Sequence, residues 1–161
     1  MSILDQFKER TSLIYLAIPR FVIGYYYLRV GPGKLSDKFL SGQPLSERFT
    51  EIAADPFSWH HSFITDFVVP HAEFFAHLVA FGEVAIGVSL ILGCLVRLSS
   101  SFGAFHSLNI LLAIGIPAGG ASFGVNLMFF VMQLMFVFSS PGRVLGLDGL
   151  LKKRFPKSRL F

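Results

Sequence analysis

The sequence predicts an all-α fold: an integral membrane four-helix bundle, with short amphipathic helices in the connection between its first two spans. Three observations lead there. Hydrophobic residues make up 53% of the 161 and charged residues 15%, against roughly 25% charged in soluble domains. Mean hydropathy is +0.61, and 19 residues are phenylalanine. A single domain of this length has no interior large enough to hide so much apolar surface from water. Finally, four apolar stretches reach the roughly 20 residues a helix needs to cross a bilayer.

Those stretches are Ser12–Gly31, Phe74–Val96, Leu98–Pro117 and Ser122–Ser140. Spans two and three are separated by only a tight turn at Arg97, so they are expected to be antiparallel neighbours. Pro117-Ala118-Gly119-Gly120 is a turn signal between spans three and four. The opening residues mix acidic and basic side chains and do not read as a cleaved leader. The first apolar run is therefore expected to stay as a span. Within the connection from Pro32 to Glu73, Leu45, Phe49, Ile52 and Ala53 fall at helical spacing near Trp59. That pattern predicts an amphipathic helix at the membrane interface. A second interfacial piece is expected over Phe63–Val69, ended by Pro70.

The net charge of +4 could suggest nucleic acid, but its distribution argues for lipid. Lys152, Lys153, Arg154, Lys157 and Arg159 crowd into a basic tail (141–161), where anionic headgroups attract them. Together with Lys8, Arg10, Arg97 and Arg143 they outnumber Lys34, Lys38 and Arg48 on the opposite side. Positive residues favour the cytoplasm, so both termini are expected there, in a cell (inner) membrane. Cys94 is the one cysteine, which rules out a Cys-x-x-Cys redox pair within the chain.

Ionisable groups at lipid depth are costly and mark candidate sites. In span one Arg20, Gly24, Tyr27 and Gly31 share a helical face. Ala76, Ala80, Glu83, Gly87 and Leu90 do so in span two. In span three His106 and Asn109 stand one turn apart below Ala113. In span four Asn126, Phe130 and Gln133 share a stripe. Turned inward, these stripes form two layers. Arg20, His106 and Gln133 lie roughly 10–12 Å inside the tail-side boundary, and Glu83, Tyr27 and Asn109 at roughly 15–22 Å. Arg20 could then pair with Glu83. Such a pair has two readings, a structural lock on helix register or part of a pocket. In the pocket reading His106, Arg20 or Tyr27 would hydrogen-bond a quinone carbonyl and Glu83 would carry a proton. Asn109, Asn126 and Gln133 have the parallel reading of interhelical hydrogen-bond glue. His60 and His61 are adjacent, and His71, Glu73 and His77 are loosely spaced, so neither metal nor haem is expected.

Arg20-x-x-x-Gly24 … Gly31-x-Gly33-Lys34 in the first span and its exit is followed by Gly82-Glu83-x-x-x-Gly87-x-x-Leu90-x-x-Gly93-x-x-x-Arg97. The fourth span leads into Gly142-Arg143-x-x-Gly146-Leu147-Asp148. From about Pro19 to Leu151 the chain thus resembles the DoxX family, which includes the DoxD small subunit of thiosulfate:quinone oxidoreductase. The resemblance implies a four-helix membrane protein in or near an electron-transfer system, with other membrane or electron-transfer subunits as partners. Arg20, Gly24, Lys34, Glu83, Gly87, Arg97, Gly142, Arg143, Gly146 and Asp148 are the matching positions. Independently of the family, Pro141-Gly142 is expected to end span four, Arg143 to cap it, and Asp148 to pair with Arg97 or Arg143.

Two functions follow as expectations. One is a subunit of a quinone-linked oxidoreductase or electron-transfer complex. Glu83, His106 and Arg20 are then its catalytic candidates, and Arg20, Tyr27, Glu83, His106, Asn109 and Gln133 its cofactor-binding residues. The other is a non-catalytic anchor that docks a partner protein through its Phe-rich faces and basic tail. A transporter fits less well, because there are no repeated halves or broken-helix pairs.

Overall fold

A computed structural model describes residues 3–51 and 56–158 of the chain. Ile52 and Ala53 of the expected amphipathic helix, and Arg159 of the basic tail, lie outside the described residues. Among the described residues four helices are long and apolar enough to cross a membrane: Leu13–Lys34, Ala72–Leu92, Val96–Ala118 and Gly120–Ser139. The protein is a multi-pass integral membrane protein.

The chain begins with α1 (Ile3–Val30), which continues through a 3-10 turn, Gly31–Lys34. Two short helices follow, α2 (Asp37–Leu40) and α3 (Gln43–Glu51). Next comes α4 (Ser58–Ser62), which runs into a π-helical turn over Phe63–Val68. The second span is α5 (Ala72–Leu92). The third is α6 (Val96–Ile110), a π-helical turn over Leu111–Gly115 and α7 (Ile116–Ala118). The fourth is α8 (Gly120–Ser139), and after a 3-10 turn, Pro141–Arg143, the tail forms α9 (Asp148–Arg154). The amphipathic pieces read from Leu45, Phe49 and Phe63–Val69 are present as α3 and the turn after α4.

Helix α1 packs on α5, α6 packs on α8, and the 93–95 turn joins the two pairs. The predicted stripes of the first two spans are the buried ones. Arg20, Gly24, Tyr27 and Gly31 are buried on α1, as are Ala76, Ala80, Glu83, Gly87 and Leu90 on α5. A methyl group at Gly87 would come within 3.0 Å of the Leu28 backbone nitrogen, so glycine there lets the two backbones approach closely. Tyr27 and Leu90 join Ile23, Ile86, Val96 and Phe136 in the apolar core.

Spans three and four turn differently from expectation. On α6 the buried positions are Ser100, Gly103, Ala104 and Ser107, while His106 and Asn109 sit at the side, half-buried. On α8 the inward residues are Gln133 and Phe136, with Phe129 and Met132 packed alongside. Asn126 turns back on its own helix and donates to the Ser122 carbonyl at 2.8 Å. Polarity marked Gln133 correctly, and Ala113 is buried as expected, but His106, Asn109 and Asn126 are not fully buried, because apolar side chains can face either lipid or core and a sparse polar pattern fixes helix rotation only loosely.

The end that carries the tail is closed by a backbone clasp. Leu147 N–H donates to the Leu92 carbonyl at 3.1 Å, and Asp148 N–H to Gly93 at 2.8 Å. The Asp148 carboxylate accepts from Leu95 N–H at 2.6 Å and from Val96 N–H at 3.0 Å. It therefore caps the start of α6 from a distant part of the chain, satisfying donors that a helix N-terminus leaves open. Gly142 and Gly146 bring the tail against Gly93: a methyl at Gly146 would lie 2.5 Å from the Gly142 carbonyl oxygen.

Candidate ligand-binding site

Midway along the spans, Glu83 of α5 collects two donors on a single oxygen. Lys34 Nζ lies 2.6 Å from Oε1 and His106 Nε2 lies 3.0 Å from it. The Glu83 side chain is only 6% exposed, Lys34 26% and His106 19%. Burying a carboxylate at this depth is costly unless it is paired. A lysine from the exit of span one and a histidine from span three provide the pairing. Three helices thus converge on one charge.

Beside this cluster lies a cavity of about 550 Å³, within the range of small-molecule sites. Lys34, Glu83, His106 and Asn109 supply its polar edge, and Phe39, Leu45 and Phe49 of the short helices cover it. Arg48 of α3 stands in the lining as well. Leu78, Phe102 and Phe105 also line it yet stay 56%, 64% and 62% exposed. The cavity therefore opens sideways between α5 and α6, onto the face that meets lipid.

Glu83, His106 and Asn109, of the residues singled out from sequence, come together here. Arg20, Tyr27 and Gln133 do not line the cavity. The expected Arg20–Glu83 pair does not form. Arg20 Nη2 donates to the Leu145 carbonyl at 2.7 Å, inside the clasp, while its Nε and Nη1 are buried without a hydrogen bond. The reason is one of register. Helix α5 ends at Leu92 and α6 begins at Val96, so Glu83 and His106 sit nine and ten residues from their helix ends. Both lie roughly 14–15 Å deep, in one layer. Placing the turn at Arg97 had lengthened one span, shortened the other and split that layer in two. Tyr27 instead approaches Ser107, with 3.4 Å between the hydroxyl oxygens. Gln133 fills the space left by Gly103, deeper in the bundle.

Three residues of this region carried no ligand assignment from sequence: Lys34, Arg48 and His60. Lys34 continues the Arg20, Gly24, Tyr27, Gly31 stripe at the next helical position, but Pro32 had marked the end of the span there. The 3-10 turn carries the helix direction past the proline, which occupies a first-turn position where its missing N–H is tolerated. His60 is 1% exposed, with Nε2 3.2 Å from Asn109 Oδ1. As one of two adjacent histidines it gave no spacing signal. Among the described residues no group of three or more His, Cys, Asp or Glu is placed to hold a metal.

The glutamate, the small-residue faces of α1 and α5 and the turn at Gly93 all fall within residues 15–116, which match the DoxX family. The chain belongs to the DoxX family. No curated protein and no solved structure matches it. In this DoxX protein the matched stretch contains the whole Lys34–Glu83–His106 cluster and the His60–Asn109 pair. It ends before α8 and before the Gly142–Asp148 clasp.

Outside the spans, two groups of the clasp are perturbed. Burial pushes the Asp148 carboxyl above the ordinary aspartate range, against the opposing pull of the Val96 and Leu95 N–H groups and of the Arg20 and Arg143 charges. Burial, aided by the Asp148 charge, pushes the Cys94 thiol up as well. A thiol held protonated is a poor nucleophile.

Proposed function

We propose that this DoxX protein is the quinone-binding membrane subunit of an oxidoreductase or electron-transfer complex. The observation that carries the reading is the cavity itself: apolar along its length, open to lipid, and ended by a lysine, a carboxylate and a histidine from three helices. The residues present fit a quinone. Phenylalanines and leucines suit its ring faces and hydrocarbon tail, and the polar edge suits its ring oxygens. A quinone supplies two-electron chemistry coupled to protons, which none of the twenty side chains provides at this depth. His106 and Asn109 hold and orient ring oxygens in this reading, with Lys34 beside them at the polar edge. Glu83 fixes both side chains, Lys34 and His106, and balances the Lys34 charge. The lateral opening admits a ligand that lives in the bilayer, and the covering helices keep water out. Electrons come from a partner subunit, since a single cysteine forms no dithiol. With both termini on the cytoplasmic side of the inner membrane, as the basic residues favour, the cavity lies in the outer half of the bilayer.

The test is mass spectrometry of the organic extract of protein purified in mild detergent. We expect about one quinone per chain, reduced at least tenfold in Lys34→Met and His106→Phe but retained in Arg20→Lys, which lies outside the cavity. Quinone no higher than in an unrelated membrane protein would sink the reading and favour the anchor function.

A further inference from the structure

The proton arrangement of the cavity says which form of its ligand it favours. Among the described residues Glu83 is the hydrogen-bond partner of His106, through Nε2. Glu83 takes Lys34 on the same oxygen at 2.6 Å, so it acts as the ionised acceptor and the imidazole hydrogen belongs on Nε2, as assigned from this network. In the neutral ring Nδ1 is then an acceptor. The His106 side chain is 19% exposed and stands in the cavity lining. A carbonyl oxygen cannot satisfy an acceptor; a hydroxyl can.

One turn along α6, Asn109 is fixed the other way round. Its Oδ1 faces His60 Nε2 at 3.2 Å and its Nδ2 donates to the Phe105 carbonyl at 2.8 Å. The second N–H of that amide remains for a ligand oxygen. Residues three apart on a helix hold their Cβ atoms about 5–6 Å apart, comparable to the spacing of oxygens at opposite corners of a six-membered ring. His60, buried and stacked edge-on with Trp59 at 5.4 Å between ring centroids, acts as a positioning residue that sets the amide orientation.

We propose that the cavity selects the reduced, 1,4-dihydroxy form of its ring ligand, one hydroxyl donating to His106 Nδ1 and the opposite oxygen accepting from Asn109. This rests on the quinone-site reading above and adds the redox state that the site prefers.

The test uses the full chain in lipid nanodiscs under anaerobic conditions. Three probes of one shape are compared: a tail-bearing 1,4-benzoquinone, its hydroquinone, and the dimethyl ether of that hydroquinone. Ligand retained per chain above empty nanodiscs gives relative affinities. The hydroquinone should bind about tenfold tighter than either of the others, the worth of one hydrogen bond of about 1.4 kcal/mol. His106→Phe should bring the three within about twofold of one another. Benzoquinone bound as tightly as hydroquinone, or the ether bound as tightly, would overturn the proposal on the unaltered protein and leave the pocket reading standing. Retention of none of the three would remove that reading, and this proposal with it.

Discussion

Asp148, at the tail end of the bundle, and Glu83, midway along it, are both buried carboxylates, and they use their oxygens in opposite ways. Asp148 directs both at backbone N–H groups, on Leu95 and Val96. Glu83 directs one at two side chains, Lys34 and His106, and its second oxygen is buried without a partner. Against Asp148 lie Gly142, where a methyl group would strike Oδ2, and Gly93, whose carbonyl accepts the Asp148 N–H. Beside Glu83 there is a cavity. A carboxylate tied to backbone cannot be re-paired without unfolding a turn, whereas one tied to side chains can exchange partners as a ligand arrives. The closed end holds the helices in register; the Glu83 cluster leaves open space beside its charge.

The sharpest way to break this contrast is to add a single methyl group at each end. Gly146→Ala would place carbon 2.5 Å from the Gly142 carbonyl oxygen and 2.8 Å from Gly93 Cα, where backbone must yield. It should cost about 3 kcal/mol, at the upper end of overpacking losses. Gly33→Ala, at the loop end, meets nothing within 4 Å and should stay within about 0.5 kcal/mol. Thermal unfolding midpoints in one detergent check both. Equal losses would show that the tail end is no tighter than the loop end.

A smaller effect is expected at Asp148. Asp148→Ala leaves two helix-start N–H groups without their acceptor and should cost about 2 kcal/mol. The pH dependence carries the finer test. The carboxyl's folded pKa is raised by burial, so its contribution is full below the ordinary aspartate value and is lost as pH rises through the raised one. From about pH 4, the ordinary aspartate value, upward, Asp148→Asn should therefore flatten part of the fall in stability seen in the unaltered protein. A steeper fall in the variant would contradict the assignment.

Much of this contrast was legible in the sequence, and the reasons for the rest are physical. Arg20, Gly24, Tyr27 and Gly31 were readable as a buried face because small residues and a charge on one stripe admit no lipid-facing alternative. The same held for Ala76 through Leu90. The level of His106 was not readable, since a few residues of error at the 93–95 turn displace adjoining helices in opposite directions and so separate true neighbours. The partner of Asp148 was equally hidden. A side chain that caps a helix some fifty positions away obeys no local spacing rule; the sequence suggested arginines, of which Arg143 acts on Asp148 through its charge, while the N–H groups of Leu95 and Val96 take the hydrogen bonds. A pocket was one of two readings of these polar residues, but its walls could not be placed, because they depend on where α2 and α3 settle over the spans.

Cys94 offers the gentlest probe of the closed end. Its backbone is engaged, with N–H donating to the Ser89 carbonyl at 3.0 Å and its own carbonyl accepting from Ser89 Oγ at 2.5 Å, but the thiol itself is free. Cys94→Ala should therefore change stability by no more than about 0.5 kcal/mol. The thiol also reports on the clasp. Burial is the larger cause of its raised pKa and the Asp148 charge the smaller. Removing that charge in Asp148→Asn, at a pH where the fold is intact, should speed alkylation by iodoacetamide about two- to threefold, because only the thiolate reacts. Local unfolding would expose the thiol and raise the rate far more, so a tenfold or greater increase would mean that the asparagine had opened the turn. An unchanged rate would mean that Asp148 and Cys94 do not feel each other, and that the clasp is looser than its hydrogen bonds indicate.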